Sequence, residues 1–341
     1  MSSDRSTIFK SFLHSAQLYH DRHCFGKRSV SPDGSVSFNW ITYSEALNLI
    51  EHLSSFLSSL DLSPGDRVGI MSCSRVDWQL FDLANHRSGL VTVGVYESVR
   101  PEDQLHIFQD SDPSVLIYSS QCRSSLQYIL SHFSKPLKAI ISLDEADEFS
   151  THTYSSIIDL PLPKVEPAQV SGSDLATLVY SSGTAGRSKG AMLTHTNVLS
   201  GALSYNLSMP PFPTPDHQEV TLAYLPLSHV FERVFETAAL FHGSRIAFFS
   251  GDTSTLVSDI ALVQPTIFTA VPRVLAKIYN GIVRNLNNTS CVSRLVFNTF
   301  LHRKMRRQLR NRDTPLITSF FKNKIASKVW WEATYRLLRL S

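Results

Sequence analysis

Short apolar runs alternate with helical repeats along most of this chain. The runs Arg67–Ser72, Leu90–Tyr96, Val115–Tyr118, Ala139–Ser142, Leu175–Tyr180, Val220–Leu225, Arg245–Phe249 and Thr266–Ala270 are rich in Val, Ile and Phe. Branched and aromatic residues in runs of this length predict strands. Between them, Leu47, Ile50, Leu53, Phe56 and Leu57 recur at helical spacing within Ser44–Leu60, behind Thr42 or Ser44 as a cap. Asp77–Asn85, Pro101–Asp110, Thr196–Leu207 and Pro272–Val283 keep the same rhythm. This alternation predicts an α/β fold with two stacked, mainly parallel sheets flanked by helices.

One stretch breaks the rhythm. Ser150 to Ser173 is polar and holds Pro161, Pro163 and Pro167, and it is expected to connect the two sheets. After Pro272 the pattern becomes helical. Phe297, Leu301, Met305 and Leu309 fall at helical spacing among Arg303, Lys304, Arg306, Arg307, Arg310 and Arg312. Such a segment suits an anionic membrane surface, and it equally suits a solvated cationic face. The expected divisions are an N-terminal segment 1–37, two αβ layers over 38–290 joined around 150–173, and a helical, basic segment 291–341.

Composition narrows the classes. A charged content of 18% with 43% apolar residues fits a soluble globular chain. The longest apolar runs are strand-sized, far short of a bilayer span, and Met1 to Thr7 lacks the apolar core of a secretory signal. The expected location is therefore cytoplasmic, with peripheral contact at an intracellular membrane through 303–312 as a further expectation. A net charge of +3 is too small to argue for nucleic acid. Cys24, Cys73, Cys122 and Cys291 are widely separated with no Cys-x-x-Cys pair, so neither a disulfide framework nor a metal site is expected.

The chemistry concentrates in Tyr180-Ser-Ser-Gly-Thr-Ala-Gly-Arg-Ser-Lys-Gly-Ala-Met-Leu-Thr-His195. Small hydroxyl residues, three glycines and a lysine lie between a predicted strand and a predicted helix, an arrangement that suits a polyphosphate. Glycines let the backbone approach a ligand, bare N–H groups and a following helix terminus favour negative charge, and Lys189 adds a point charge. The spacing of Gly183, Gly186 and Gly190 matches neither a Walker loop nor the dinucleotide fingerprint.

The string resembles the phosphate-loop signature of adenylate-forming (AMP-binding) enzymes. The resemblance extends from about residue 38 to about 300, through Asn39–Glu45, Gly65–Ile70, Arg75–Trp78 and Val93–Val99. Leu225-Pro-Leu-Ser-His-Val-Phe-Glu-Arg233 and Gln264–Arg273 look like the long-chain acyl-CoA synthetase branch. The resemblance implies ATP-dependent activation of a fatty acid to an acyl-adenylate, then transfer to coenzyme A. It implies that Ser181, Ser182, Gly183, Thr184, Ala185, Gly186 and Lys189 hold the phosphates, with Mg²⁺ bridging phosphate oxygens. Ala185 departs from the threonine of many relatives and removes one hydroxyl. His229 is expected to contact the carboxylate or shape the acyl channel, or simply to be packed and hydrogen-bonded. Phe231 and Leu275 are channel candidates, and Glu232 and Arg233 are expected to pair with neighbours. No residue is assigned a catalytic step.

The family's adenine-stacking aromatic, magnesium-holding acid, ribose aspartate, hinge and catalytic lysine find no match before Ser341. The expectation is a truncated ligase-like chain with little complete turnover alone. A non-catalytic binding or interaction protein on the same scaffold, and an adenylating enzyme of another acyl class, stay open.

Overall fold

The computed structural model describes residues 5–181, 187–208, 218–252, 254–288, 295, 297–299 and 301. Its first compact unit is Met1–Pro265 and its second Thr266–Ser341.

The first unit opens with α1 (Ile8–Leu18), capped by the Thr7 hydroxyl, which accepts the Lys10 N–H. The hairpin β1 (His23–Val30) and β2 (Val36–Thr42) follows, then α2 (Tyr43–Ser59). Thr42 and Glu45 form a reciprocal capping box at the start of α2. The chain continues through β3 (Arg67–Met71), α3 (Val76–Arg87), β4 (Val91–Val95), α4 (Pro101–Ser111), β5 (Val115–Tyr118), α5 (Arg123–His132) and β6 (Ala139–Ser142). Next come β7 (His152–Thr153), α6 (Tyr154–Ile158), β8 (Leu175–Ser181), β9 (Lys189–Thr194) and α7 (His195–Ser208). The unit closes with β10 (Val220–Ala223), α8 (Val230–Phe241), β11 (Arg245–Phe248) and α9 (Leu256–Val263). The second unit contains α10 (Pro272–Asn287).

Two sheets result. One has the order β10-β11-β1-β2, parallel except for β1 with β2. The other has the order β7-β6-β5-β3-β4-β8-β9, parallel except for β8 with β9. The predicted α/β class and parallel-rich sheets are therefore observed. One apolar core joins the two sheets through a helical layer: Phe25, Ile246 and Phe248 belong to the smaller sheet, Val68, Ile70 and Val115 to the larger, and Phe12, Ile50 and Phe81 to α1, α2 and α3. A second core covers the opposite face of the larger sheet, where Leu105 and Phe108 of α4 and Leu126 and Ile129 of α5 meet Val93, Leu116 and Tyr118. Parallel strands covered on both faces read as continuous apolar runs, which is why β3 to β6 were legible.

Two expectations are corrected. The stretch 150–173 does not connect the sheets: it carries the chain from β7, an edge of the larger sheet, back to β8 within that sheet. Arg87 pins it by donating from Nη2 to the Val165 carbonyl at 2.6 Å and by accepting the Ala168 N–H at its own carbonyl. Thr266–Ala270 joins neither sheet. Strand propensity needs a neighbour to pair with, and Pro265 and Pro272 bound this run without one. α1 and β1 belong to the first unit. Cys24 and Cys122 are buried free thiols and Cys73 is partly buried. Among the described residues no helix is long and apolar enough to cross a membrane. The basic segment 303–312 lies outside the described residues.

Candidate functional site

The polyphosphate candidate hangs on a hairpin. β8 and β9 pair antiparallel, with Tyr180 opposite Gly190 and Ser181 opposite Lys189, so both ends of 182–188 start from one point of the sheet. Helix α4 holds both sides. The Tyr180 hydroxyl donates to Asp110 Oδ2 at 2.6 Å, and His106 Nε2 donates to the Ser188 carbonyl at 2.9 Å. Burial first, then the Asp110 carboxylate beside it, pushes the Tyr180 phenol above its ordinary range, so it stays a donor. Gly190 is required here: a Cβ at this position would lie 2.9 Å from Cζ of the Tyr180 ring. Replacing Tyr180 by Phe should cost about 1.5 kcal/mol, the worth of a hydrogen bond to a charged acceptor. A two-state urea titration checks this, and an unchanged midpoint would remove the anchor.

Ser181 and Lys189 are both exposed at the mouth of the hairpin. Ser182, Gly183, Thr184, Ala185 and Gly186 lie outside the described residues. The Ser188 hydroxyl is buried and has no hydrogen-bond partner among the described residues. The helix expected near Thr196 begins at His195, but a strand that the sequence did not reveal stands between it and the loop. Six residues of β9 intervene before α7 begins at His195, roughly 20 Å at strand rise. The helix terminus is thus displaced from the loop, and the charges available beside it are those of exposed Arg187 and Lys189.

The second candidate, His229, is the N-cap of α8. Its Nδ1 accepts the Phe231 N–H at 3.1 Å, which leaves the neutral ring's proton on exposed Nε2. The turn before it is clamped to the larger sheet. Ser74 Oγ donates to the Leu225 carbonyl at 2.7 Å and accepts the Leu227 N–H at 3.0 Å. The Ser228 backbone fills the place where a Cβ on Gly94 would be, 2.7 Å from that position. Gly94 in turn pairs with Val179 of β8. One glycine of β4 therefore touches both the His229 turn and the strand that leads into the hairpin. Phe231 is 40% exposed beside His229, and Leu275 is 51% exposed on α10 in the second unit.

Arg233 pairs as expected, with Asp82 of α3 at 2.7 Å. Glu232 does not. It is fully buried, neither carboxyl oxygen has a hydrogen-bond partner among the described residues, and burial raises its pKa to about 8. A glutamate three residues into a helix usually reaches back to the cap N–H; here the His229 N–H already donates to the Pro226 carbonyl. Sequence reasoning passed over Asp82, His86 and His195. The available signal was Asp82 and His86 at i, i+4 spacing inside Trp78–Arg87, a helix buried on every side. Among the described residues no cluster of three or more His, Cys, Asp or Glu is placed to hold a metal.

Residues 12–312 match the family model described as AMP-binding enzyme. The chain is 32% identical over 326 residues to fatty acyl-CoA synthetase A of Dictyostelium discoideum, covering 91% of this chain and 48% of that protein. It is 27% identical over 301 residues to long-chain-fatty-acid–CoA ligase 1 of Homo sapiens, covering 84% of this chain and 43% of that protein. The chain thus spans about half the length of the curated relatives it matches. Its fold is similar to that of the A domain of a carboxylic acid reductase from Segniliparus rugosus, solved with AMP and a co-purified carboxylic acid. That match has a TM-score of 0.71 and 20% identity, over 84% of this chain and 52% of that one.

Proposed function

We propose, because this chain belongs to the family of AMP-binding enzymes, that its β8–β9 hairpin binds the triphosphate of ATP in the activation of a long-chain fatty acid. The observation that carries the reading is the hairpin itself. It is clamped by Asp110 and His106 on either side of the loop and leaves Ser181 and Lys189 exposed at its mouth.

In the proposed reaction the fatty carboxylate attacks the α-phosphorus of ATP, the bond to the β-phosphate oxygen breaks, and pyrophosphate leaves. The thiol of coenzyme A then displaces AMP from the acyl-adenylate. Both substrates of the first step are anionic, so the site must offset charge and hold the attacking oxygen in line. Lys189 offsets charge on the leaving pyrophosphate, and the Ser181 hydroxyl donates to a phosphate oxygen. Residues 182–186 contribute backbone N–H groups by their sequence. Mg²⁺ enters bound to the phosphate oxygens and neutralises charge there. His229, with Nδ1 committed to the helix cap, offers Nε2–H toward the carboxylate, while Phe231 beside it faces the acyl chain; for Leu275 of the second unit an acyl role rests on its sequence motif alone. Contact of 303–312 with an anionic membrane belongs to the same reading, since the fatty acid partitions into lipid.

Lys189→Ala should weaken ATP binding about 10- to 100-fold, the loss of one charge-assisted contact. Calorimetric titration with ATP and Mg²⁺ checks this. Equal affinity in a folded variant would sink the assignment of the hairpin. Fatty-acid-dependent exchange of pyrophosphate into ATP separates binding from activation, and binding without exchange would leave this chain the nucleotide-binding role only.

A further inference from the structure

Two elements of the proposed site hang on one buried side chain of α3. Asp82 Oδ2 accepts from Arg233 Nη1 of α8 at 2.7 Å and lies 3.4 Å from His86 Nε2, one helical turn further along α3. The His86 ring stands edge-on to that of His195, with centres 5.1 Å apart. His195 is the first residue of α7, directly after the hairpin, and its Nδ1 accepts the Ile8 N–H of α1 at 3.3 Å. Arg233, Asp82, His86 and His195 are each at most 3% exposed. They link the first turn of α8 to the exit of the hairpin by three contacts in the helical layer: the Arg233–Asp82 ion pair, the approach of His86 Nε2 to Asp82 without a hydrogen bond, and the edge-on contact of the His86 and His195 rings.

The ion pair of the path that does not depend on a histidine proton is Arg233 with Asp82. Burial alone would raise Asp82, but Arg233 and His86 outweigh it and hold the carboxyl well below the usual range. Burial, then His86 beside it, lowers His195 to about 3, so that ring is neutral at pH 7. Burial raises Glu232 and Glu236 of α8, and Glu232 raises Glu236 further, so both keep their protons. Among the described residues, Asp82 is therefore the carboxylate that pairs with α8, through Arg233. A buried ion pair adds little net stability against an apolar replacement, and fixing one arrangement is its better-attested use.

We infer that Asp82 is a positioning residue shared by both halves of the site. Through Arg233 it sets the first turn of α8, with His229 at its cap. Through His86 and His195 it sets the point where the phosphate hairpin passes into α7. The inference rests on the proposed ATP reading for its functional consequence, but its structural content stands separately.

The test is the double variant Asp82→Leu/Arg233→Met, which replaces the pair by apolar side chains of similar volume and avoids stranding a buried charge. Amide hydrogen exchange is read at the Phe231 N–H, which caps α8, and at the His195 N–H, which donates to the Asp174 carbonyl. Val93 in β4 serves as the core reference. The expected result is at least tenfold faster exchange at Phe231 and His195 together, unchanged exchange at Val93, and at least tenfold weaker ATP binding. Acceleration at Phe231 alone, or a uniform acceleration that includes Val93, overturns the shared anchor. If the unsubstituted protein binds no ATP, the functional reading fails by itself, and the paired exchange at Phe231 and His195 still decides whether Asp82 couples the two elements.

Discussion

Replacing Gly94 by valine is expected to abolish ATP binding and to lower stability by about 3 kcal/mol, the upper range for forcing extra atoms into a packed site. The reason is space, since Gly94 does not need a left-handed backbone. A Cβ there would lie 2.7 Å from Cα and 2.9 Å from Cβ of Ser228. Neither atom can swing away, because the Ser74 hydroxyl ties the segment on one side and the His229 cap on the other. Movement of β4 is no easier, since Gly94 is laddered to Ile70 of β3 and Val179 of β8. Relief must shift the His229 turn or the strand that enters the hairpin, and either shift misplaces a group assigned to the ligand. Gly281 of α10 is the matched control. A Cβ there meets nothing within 4 Å, and Gly281→Ala should stabilise the helix by roughly 0.5–1 kcal/mol. Urea unfolding and ATP titration of both variants check the pair. A Gly94→Val protein with the unsubstituted midpoint and affinity would show that the β4 contact positions nothing.

The contrast between these glycines illustrates what could be read from the chain. The loop after Tyr180 could be proposed as a phosphate site from the sequence because its chemistry is local: small residues, close glycines and one lysine have few other uses together. Strands β3 to β6 were legible because burial on both faces leaves nearly unbroken apolar runs. β9 was not. Lys189-Gly-Ala-Met-Leu-Thr194 has a glycine near its start and no clear alternation, and it is a strand because β8 supplies a ladder and Tyr180 needs the room at Gly190. β1 and β2 were missed for a related reason. β11 pairs with β1 only over Phe25 to Lys27, and the polar run Lys27-Arg-Ser29 masks β1, although in β2 Val36, Phe38 and Trp40 alternate with Ser37 and Asn39 and were a strand signal left unused. The Asp82 path was illegible in principle, because Asp82 and Arg233 are 151 residues apart and only the helical layer brings them together. In the proposed site, local composition carries the proposal of a ligand class, while the groups that hold the hairpin strands in place, Asp110 and His106, come from distant sequence.

Between pH 6.5 and 8 the protein should lose stability as pH rises, and Glu232→Gln should remove part of that loss. Burial raises Glu232 to about 8 and holds Glu236 well above the usual carboxylate range, with Glu232 adding to the second shift. In the unfolded chain a glutamate titrates near ~4.3. Over the interval between the two values the native state binds a proton that the unfolded state does not, so stability is full below the lower value and declines toward the upper one. The slope is roughly 1.4 kcal/mol per pH unit for each such carboxyl. His195 acts in the opposite direction. Its folded value of about 3 lies below an unfolded value near ~6.5, so it adds stability as pH rises through that window and offsets one carboxyl. Above about pH 6.5 its contribution is complete, and the two glutamates act unopposed within this cluster. Stability is therefore expected to peak on the acid side of neutrality. The N-terminus of α8 would ordinarily favour a charged glutamate. Here the cap N–H is already used by Pro226, and full burial outweighs the remaining dipole. Glutamine preserves the shape of the side chain but carries no proton to lose. Urea midpoints at pH 5, 6.5 and 8 should converge toward a flatter line in the variant, and parallel declines in the two proteins would show that Glu232 is ionised in the folded state.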